Sequence, residues 1–259
     1  MEVLIPSTFG LNERDDKLKV YTYGRLARAV AMFGADRVTI YRDEDPKADE
    51  ERNAELLAKH LEYAETPPYL RKALIPHDED LSNASILPAL QIISHGYSDR
   101  FREAVVEEVD DGTAVLDAGL DEPVEVPAAV EEGARVTVAM DGPELIDPRD
   151  IEGFWTFTVE NRREDLGTVI ASMDWPVVGT SRHGDPLTGF VYGRSMDEEF
   201  AVAFGSAWRG IYDLAEQGDV DEDQFDGVFD FVPGQHTKTV RTGEAVPIVL
   251  GVINALQQL

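Results

Sequence analysis

The sequence predicts an α/β protein built on a parallel sheet and interrupted once by a small β module. Three observations carry this. The first 65 residues read strand, helix, strand, helix; the pattern turns to short alternating segments after Pro67-Pro68; and the α/β rhythm resumes near Phe154. Alternating strands and helices imply a parallel sheet with helical crossovers. On this reading residues 1–74 begin the main domain, 75–147 form an insert and 148–259 complete the main domain.

Val3 to Ile5 reads as a buried strand, followed by the polar stretch Ser7 to Asp16. A helix is expected from about Lys17 to Phe33, with Leu18, Tyr21, Leu26, Ala29, Val30 and Phe33 on its inward face and Gly34 as its stop. Arg37 to Tyr41 reads as a strand with Val38 and Ile40 inward. Ala48 to Tyr63 is a second helix, whose acidic first turn suits the helix dipole. In the insert, Ala104 to Val109, Thr113 to Asp117, Val124 to Val126 and Arg135 to Met140 are short strands, and Asp111-Gly112 between two of them is a hairpin signal. A small barrel of the oligonucleotide-binding type fits this pattern. A β-rich arm without a ligand is the alternative, because acidic residues crowd its predicted faces. Beyond it, Phe154 to Val159 reads as a buried strand and Glu164 to Met173 as a helix. Val177-Val178, Phe200 to Phe204 and Val228 to Val232 are apolar strands, each followed at once by a glycine-containing loop.

The 259 residues carry a formal net charge of -28. The acidic runs Asp43 to Glu51, Asp78 to Asp80, Glu107 to Asp111, Glu131-Glu132 and Asp219 to Asp223 read as a solvated coat, and the basic residues are 17 Arg against 6 Lys. An acidic, lysine-poor surface resembles that of extreme halophiles. Near molar salt the Debye length falls to about 3 Å, so the net charge does not exclude an anionic partner. The absence of cysteine excludes disulfides, thiolate metal sites and cysteine nucleophiles. His60, His77, His95, His183 and His236 lack ligand spacing, so no metal is expected. Met1 to Pro6 does not resemble a signal peptide, and the longest apolar stretch, Ala245 to Leu256, is too short for a bilayer. A cytoplasmic protein without membrane contact is expected.

The chemistry is expected in the three loops: Gly179 to Gly184, Gly205 to Gly210, and Pro233 to Ala245. Ligands of open α/β sheets bind beyond the carboxyl ends of the strands. Glycine lets a backbone approach a ligand closely, and Pro233-Gly234-Gln235 is the stretch where such an approach is expected. No loop continues as a Walker-type phosphate loop, and the dinucleotide fingerprint is absent.

The chain resembles a known family, the SPOUT-class RNA uridine-N3 methyltransferases of archaea and eukaryotes. The resemblance lies in Gly24-Arg25-Leu26-Ala27-Arg28-Ala29 before the strand Arg37 to Tyr41, and in Leu61-Glu62-Tyr63 through Pro68-Tyr69-Leu70-Arg71-Lys72. It continues at Gly179-Thr180-Ser181, Phe204-Gly205, Pro233-Gly234-Gln235 and Arg241-Thr242-Gly243-Glu244-Ala245. It implies a SPOUT (α/β-knot) domain with a C-terminal trefoil knot, an inserted OB-like barrel, and a homodimer with the active site at its interface. It implies S-adenosylmethionine as cofactor, held by Gly179, Thr180, Ser181, Phe204, Gly205, Gly210, Val232, Pro233, Gly234, Gln235, Thr239, Thr242 and Ala245. RNA, most plainly ribosomal, is the implied substrate. The chain departs from the family at Arg182, where glutamate is common, at His236, where a small residue is common, and over Leu11 to Lys19.

For the reaction itself, Arg25, Arg182 and Arg241 are candidates to stabilise a developing uridine anion, and Glu244 to orient them. Arg25 is also suited to pairing with acids on its helix, Arg182 to a surface ion pair, and Glu244 to stabilising the start of the last helix. Trp208 suits either stacking on a base or core packing. An RNA-binding protein that keeps the fold without catalysis is the competing class. The acidic coat makes one firm demand: the melting temperature should fall as potassium chloride is lowered from molar to millimolar, because unscreened carboxylates repel one another. A flat profile by circular dichroism overturns the salt reading.

Overall fold

The computed structural model describes residues 1–44, 48–188, 190, 199–206 and 208–258. Asp45, Pro46 and Lys47 of the acidic run and Ala207 of the second loop therefore lie outside the described residues. Along the chain the strands are β1 (Glu2–Pro6), β2 (Arg37–Arg42), β3 (Phe101–Asp110), β4 (Thr113–Asp117), β5 (Val124–Pro127), β6 (Arg135–Ala139), β7 (Glu144–Ile146), β8 (Thr158–Asp165), β9 (Val177–Pro186), β10 (Ala201–Ala203) and β11 (Val228–Asp230). The helices are α1 (Asp16–Phe33), α2 (Glu50–Glu65), α3 (Arg71–Leu74), α4 (Leu166–Ala171), α5 (Ile211–Glu216) and α6 (Thr242–Leu256). The chain divides into two compact units. One comprises Met1–Leu61, Asn83–Pro88 and Phe157–Leu259; the other comprises Glu62–Ser82 and Ala89–Thr156.

The first unit holds a six-stranded sheet in the order β11-β9-β10-β1-β2-β8, and every pairing in it is parallel. The chain builds outward from β1 through β2 to β8, then returns to the other side of β1 for β10, β9 and β11. The order therefore reverses between β1 and β10, the place where parallel sheets open a crevice at their carboxyl ends.

Helix α1 begins where the Asp15 side chain accepts from the Leu18 N–H at 2.9 Å, and it stops at Gly34, whose φ of 67° is left-handed. Its buried stripe is Val20, Tyr23, Ala27 and Val30, with Leu26 and Ala29 beside it. Leu18 and Tyr21, expected inward, are 42% and 46% exposed, because they lie off that stripe. Strand β2 is buried on both faces from Val38 to Tyr41 rather than alternating, as parallel strands flanked on both sides are.

The segment expected as a strand from Phe154 and a helix from Glu164 is displaced. Trp155 and Phe157 are buried, but β8 starts at Thr158 and α4 only at Leu166, capped by Asp165 accepting from Thr168 N–H at 2.8 Å. The polar run Glu160 to Glu164 forms strand nonetheless, because β8 is an edge paired on one side only and its side chains reach water.

The second unit is an antiparallel five-stranded sheet in the order β5-β4-β3-β6-β7, whose outer strands β5 and β7 approach one another. Its core is Ala104, Val106, Ala114, Leu116, Val124, Val126 and Val138. The β3–β4 turn has φ of 44° at Asp111 and 79° at Gly112, the left-handed pair that a two-residue hairpin requires. Strand β7 was not expected from the sequence; at three residues and partly exposed it leaves little periodicity to read.

A buried charge cluster sits in this unit. Arg135 donates to Glu65 through Nη1 at 2.7 Å and Nη2 at 3.0 Å, and to Glu103 through Nε at 2.7 Å. Glu103 also accepts from Thr137 at 3.0 Å and from the Trp155 indole, and Glu65 from Thr156 at 3.1 Å. Burial alone would lower the Arg135 pKa, but the two carboxylates outweigh it and raise it. Glu103 is 3% exposed, so removing the cation strands a buried charge. Arg135→Ala should cost about 3–5 kcal/mol of stability, read as a lower urea midpoint; a loss below about 1 kcal/mol would show that the carboxylates find water instead.

Candidate functional site

At the carboxyl ends of β10 and β11 and against the middle of β9, within the first unit, lies a cavity of about 340 Å³. Thr180, Ser181, Arg182 and His183 line it from β9; Phe204, Gly205, Ser206, Trp208 and Gly210 from the segment after β10; Phe231, Val232, Gln235, Lys238, Thr239 and Val240 from the segment after β11. Thr242, Ala245 and Val249 of α6 close it.

The first wall was expected as a loop and is instead part of a strand. β9 runs ten residues, and its register against β11 jumps: Gly179 pairs with Val228, while Asp185 pairs with the next residue, Phe229. Thr180 to Gly184 therefore bulge out of the ladder between two anchored points. The Thr180 hydroxyl donates to the Ala203 carbonyl at 3.1 Å, tying the bulge to β10.

The second wall turns tightly. A Cβ at Gly205 would lie 2.8 Å from the Arg209 carbonyl oxygen and 2.9 Å from Gly210 Cα, so only glycine fits. Ser206 N–H donates to the Arg209 carbonyl at 2.7 Å, and Gly210 N–H to Asp213 at 2.7 Å. The Arg209 guanidinium fixes this turn from outside. Its Nε donates to Asp43 Oδ1 at 2.9 Å, Nη2 pairs with the same carboxylate, and Nη1 donates to Asp219 and Gln217, each at 2.6 Å. Burial disfavours the charge, but Asp43 and then Asp219 outweigh it and raise the Arg209 pKa. Asp43 is 1% exposed, so it is no part of a solvated coat, and Asp219 likewise serves as a counter-ion.

The third wall is tied to the others at two points. Arg182 Nη1 donates to the Lys238 carbonyl at 2.7 Å, and the Thr242 hydroxyl to the Gly205 carbonyl at 2.8 Å. Arg182 thus bridges two walls, the use that neither of its sequence readings anticipated.

The predicted residues sort into two places. Thr180, Ser181, Arg182, Phe204, Gly205, Gly210, Val232, Gln235, Thr239, Thr242 and Ala245 line the cavity. Arg25, Arg241 and Glu244 meet in a smaller cleft of about 80 Å³ with Phe9, Glu13 and Thr22, and Thr242 belongs to both. Glu244 accepts from the Arg241 N–H at 2.9 Å, capping α6. Gly179, Pro233 and Gly234 are not among the lining residues. Gly234 has a φ of 68°, which calls for glycine, and no protein atom lies within 4 Å of where a Cβ would stand, so the space beside it is open. Trp208, open to two readings, is 52% exposed and does not pack in the core. Asp43, Arg209 and Asp219 were missed; the available signal was an arginine held between two glycines in a chain short of cations.

Among the described residues no helix is long and apolar enough to cross a membrane, and no cluster of acidic or histidine side chains could hold a metal.

A parallel α/β sheet with a cavity of ligand size at its carboxyl edge defines the class of a small-molecule-binding α/β protein. The chain belongs to the family described as "Putative RNA methyltransferase", whose model matches residues 1–253. It is 31% identical to an uncharacterized protein of Halobacterium salinarum, over 96% of each chain. It is 28% identical to the human 28S rRNA (uridine-N(3))-methyltransferase, over 98% of this chain and 77% of that one. The solved SpoU methyltransferase AviRb of Streptomyces viridochromogenes, in complex with AdoMet, superposes with a TM-score of 0.38 at 9% identity; this chain is covered fully and spans 57% of that one.

The Arg209 pairing makes a checkable demand. Arg209→Ala leaves Asp43 buried without its cation and should cost about 3–5 kcal/mol. Pairing it with Asp43→Asn should recover a large part of that loss, and strict additivity of the two in thermal melts would show that the pair is not coupled.

Proposed function

We propose that this protein methylates N3 of a uridine in ribosomal RNA with S-adenosylmethionine as donor. The observation that carries the reading is the cavity of about 340 Å³ formed by the bulge within β9 and the segments that follow β10 and β11, in a chain of an RNA methyltransferase family. The name of the human relative directs it to uridine N3 of large-subunit RNA.

The residues present suit such a donor. Phe204, Val232, Ala245 and Val249 offer apolar surface for a flat adenine, while Thr180, Ser181 and Gln235 offer hydrogen-bonding groups. Asp213 and Asp230 bring negative charge beside a ligand that carries a sulfonium and an ammonium. Gly179, Pro233 and Gly234 would then act from beneath the lining.

Bound S-adenosylmethionine supplies an activated methyl group, whose transfer to N3 leaves a neutral thioether and releases the N3 proton. The task of the chain is to align the acceptor and stabilise the uridine as that proton leaves. We assign this to Arg182 of the cavity wall and to Arg25 and Arg241 of the adjoining cleft, a reading supported by their positions there; Glu244 accepts from the Arg241 N–H and so helps to orient that residue.

Further parts of the reading have their own support. A trefoil knot in the C-terminal part fits the placement of β9 between β10 and β11 and the seat of α6 against the loops. An OB-like barrel over residues 75–147, gripping RNA, fits the antiparallel sheet whose edge strands approach. A homodimer fits the apolar groups left exposed on the packed pair α1 and α6, namely Leu18, Tyr21, Met32 and Ile248. A cytoplasm of high salt fits the acidic surface.

Nucleoside mass spectrometry of ribosomal RNA tests the proposal. N3-methyluridine should vanish in cells lacking the protein and return with the wild-type gene. It should not return with Gly205→Val, whose side chain cannot be accommodated in the second wall. Unchanged N3-methyluridine in the deletion strain would overturn the assignment of the base.

A further inference from the structure

Trp208 does not only face the cavity described above. It also lines a second, larger cavity of about 740 Å³, bounded by Leu11, Lys19, Asp49, Arg52 and Leu56. Both cavities lie within the first unit, and among the described residues Trp208 is the one they share.

The placement of that indole is unusual for so apolar a side chain. It is half exposed, and among the described residues its ring makes no aromatic or cation–π contact. Yet its backbone is held: Ser206 Oγ accepts from the Trp208 N–H at 3.3 Å and from the Arg209 N–H at 2.9 Å, and the next side chain is the Arg209 clamp. A flat, half-exposed ring, presented by a held backbone between two cavities, is a stacking platform.

The walls of the second cavity favour a nucleotide over an apolar ligand. Lys19 and Arg52 supply positive charge. Asp16, 3.1 Å from Lys19, has a side chain 80% exposed, so that pair is a weak competitor for a phosphate. Asp49 is engaged in capping α2 through the Arg52 N–H at 3.0 Å. Asn53 is spent on the backbone, donating to Ser7 at 2.7 Å and Phe9 at 2.9 Å, so it forms rigid wall rather than a reading group.

Chemistry sets the form of the occupant. N3 of uridine lies on the base-pairing edge, so a methyl acceptor must be unpaired and turned out of any helix. Given the function proposed above, on which this step rests, we infer that the second cavity receives the splayed acceptor nucleotide. Trp208 stacks on its base at the boundary with the donor cavity, and Lys19 and Arg52 hold the flanking phosphates. Stacking by an indole is indifferent to base identity, so Trp208 positions the base and leaves its choice to other contacts.

Fluorescence anisotropy with a short labelled oligouridylate tests this in the full-length protein, with S-adenosylhomocysteine binding followed separately by calorimetry. Trp208→Ala should weaken oligouridylate binding about tenfold or more, and Trp208→Phe should stay within about threefold of wild type, because the phenyl ring still stacks. A Lys19→Ala, Arg52→Ala double variant should lower the slope of log affinity against log salt by about 1.4, for two phosphate contacts on a single strand. Wild-type oligouridylate affinity in Trp208→Ala, or an unchanged salt slope in the double variant, overturns the inference. A protein that binds oligouridylate through Trp208 but does not bind S-adenosylhomocysteine would instead defeat the proposed methyl transfer and leave this site standing.

Discussion

The Arg209 guanidinium is the point on which the functional end of the first unit depends. It joins Asp43 just beyond β2, Asp219 beyond α5, and its own turn between Gly205 and Gly210. Beneath it the buried Tyr41 hydroxyl donates to the Phe204 carbonyl at 2.7 Å, so β2 grips the same turn twice. A buried ion pair contributes little net stability once desolvation is counted, and a hydrophobic substitute often does as well. What an apolar group cannot supply is direction. Three acceptors converge on one planar fork, and the turn that presents Trp208 has one arrangement that satisfies them all.

The same logic qualifies the meaning of the acidic composition. Many carboxylates of this chain are solvated, but Asp43, Glu65 and Glu103 are among its buried ones and are matched to arginine. In each case the cation makes several hydrogen bonds at once, Arg135 across two glutamates and Arg209 across two aspartates and a glutamine. A lysine ammonium has no planar fork to satisfy such sets. At these two positions arginine is therefore required by the fold, whatever the salt around it.

The periodic elements were legible in the sequence where burial is one-sided or a stop is chemically marked. Helix α1 ends at Gly34 as read, the Asp111-Gly112 turn joins β3 to β4, and the parallel order follows from the strand-helix alternation. Reading failed where position in the sheet, not composition, decides the outcome. Glu160 to Glu164 is too polar to look like a strand, yet an edge position allows it. The cavity-lining segments were found from their glycines, but the left-handed φ of Gly234 could not be read there, since left-handed φ and close approach leave the same letter in a sequence. The Asp43–Arg209 pair spans 166 positions, and no local pattern announces a contact of that range.

The bulge in β9 bears on what ligand binding costs. A free loop must lose its conformational entropy when a ligand arrives, and that loss is subtracted from affinity. Thr180 to Gly184 leave the sheet at Gly179 and rejoin it at Asp185, held by β11 at both ends and by Ala203 in between. Their freedom is surrendered when the sheet forms, long before any ligand is met. Folding therefore bears the expense of shaping this wall, and the wall can be nearly rigid without the protein as a whole being unusually stable.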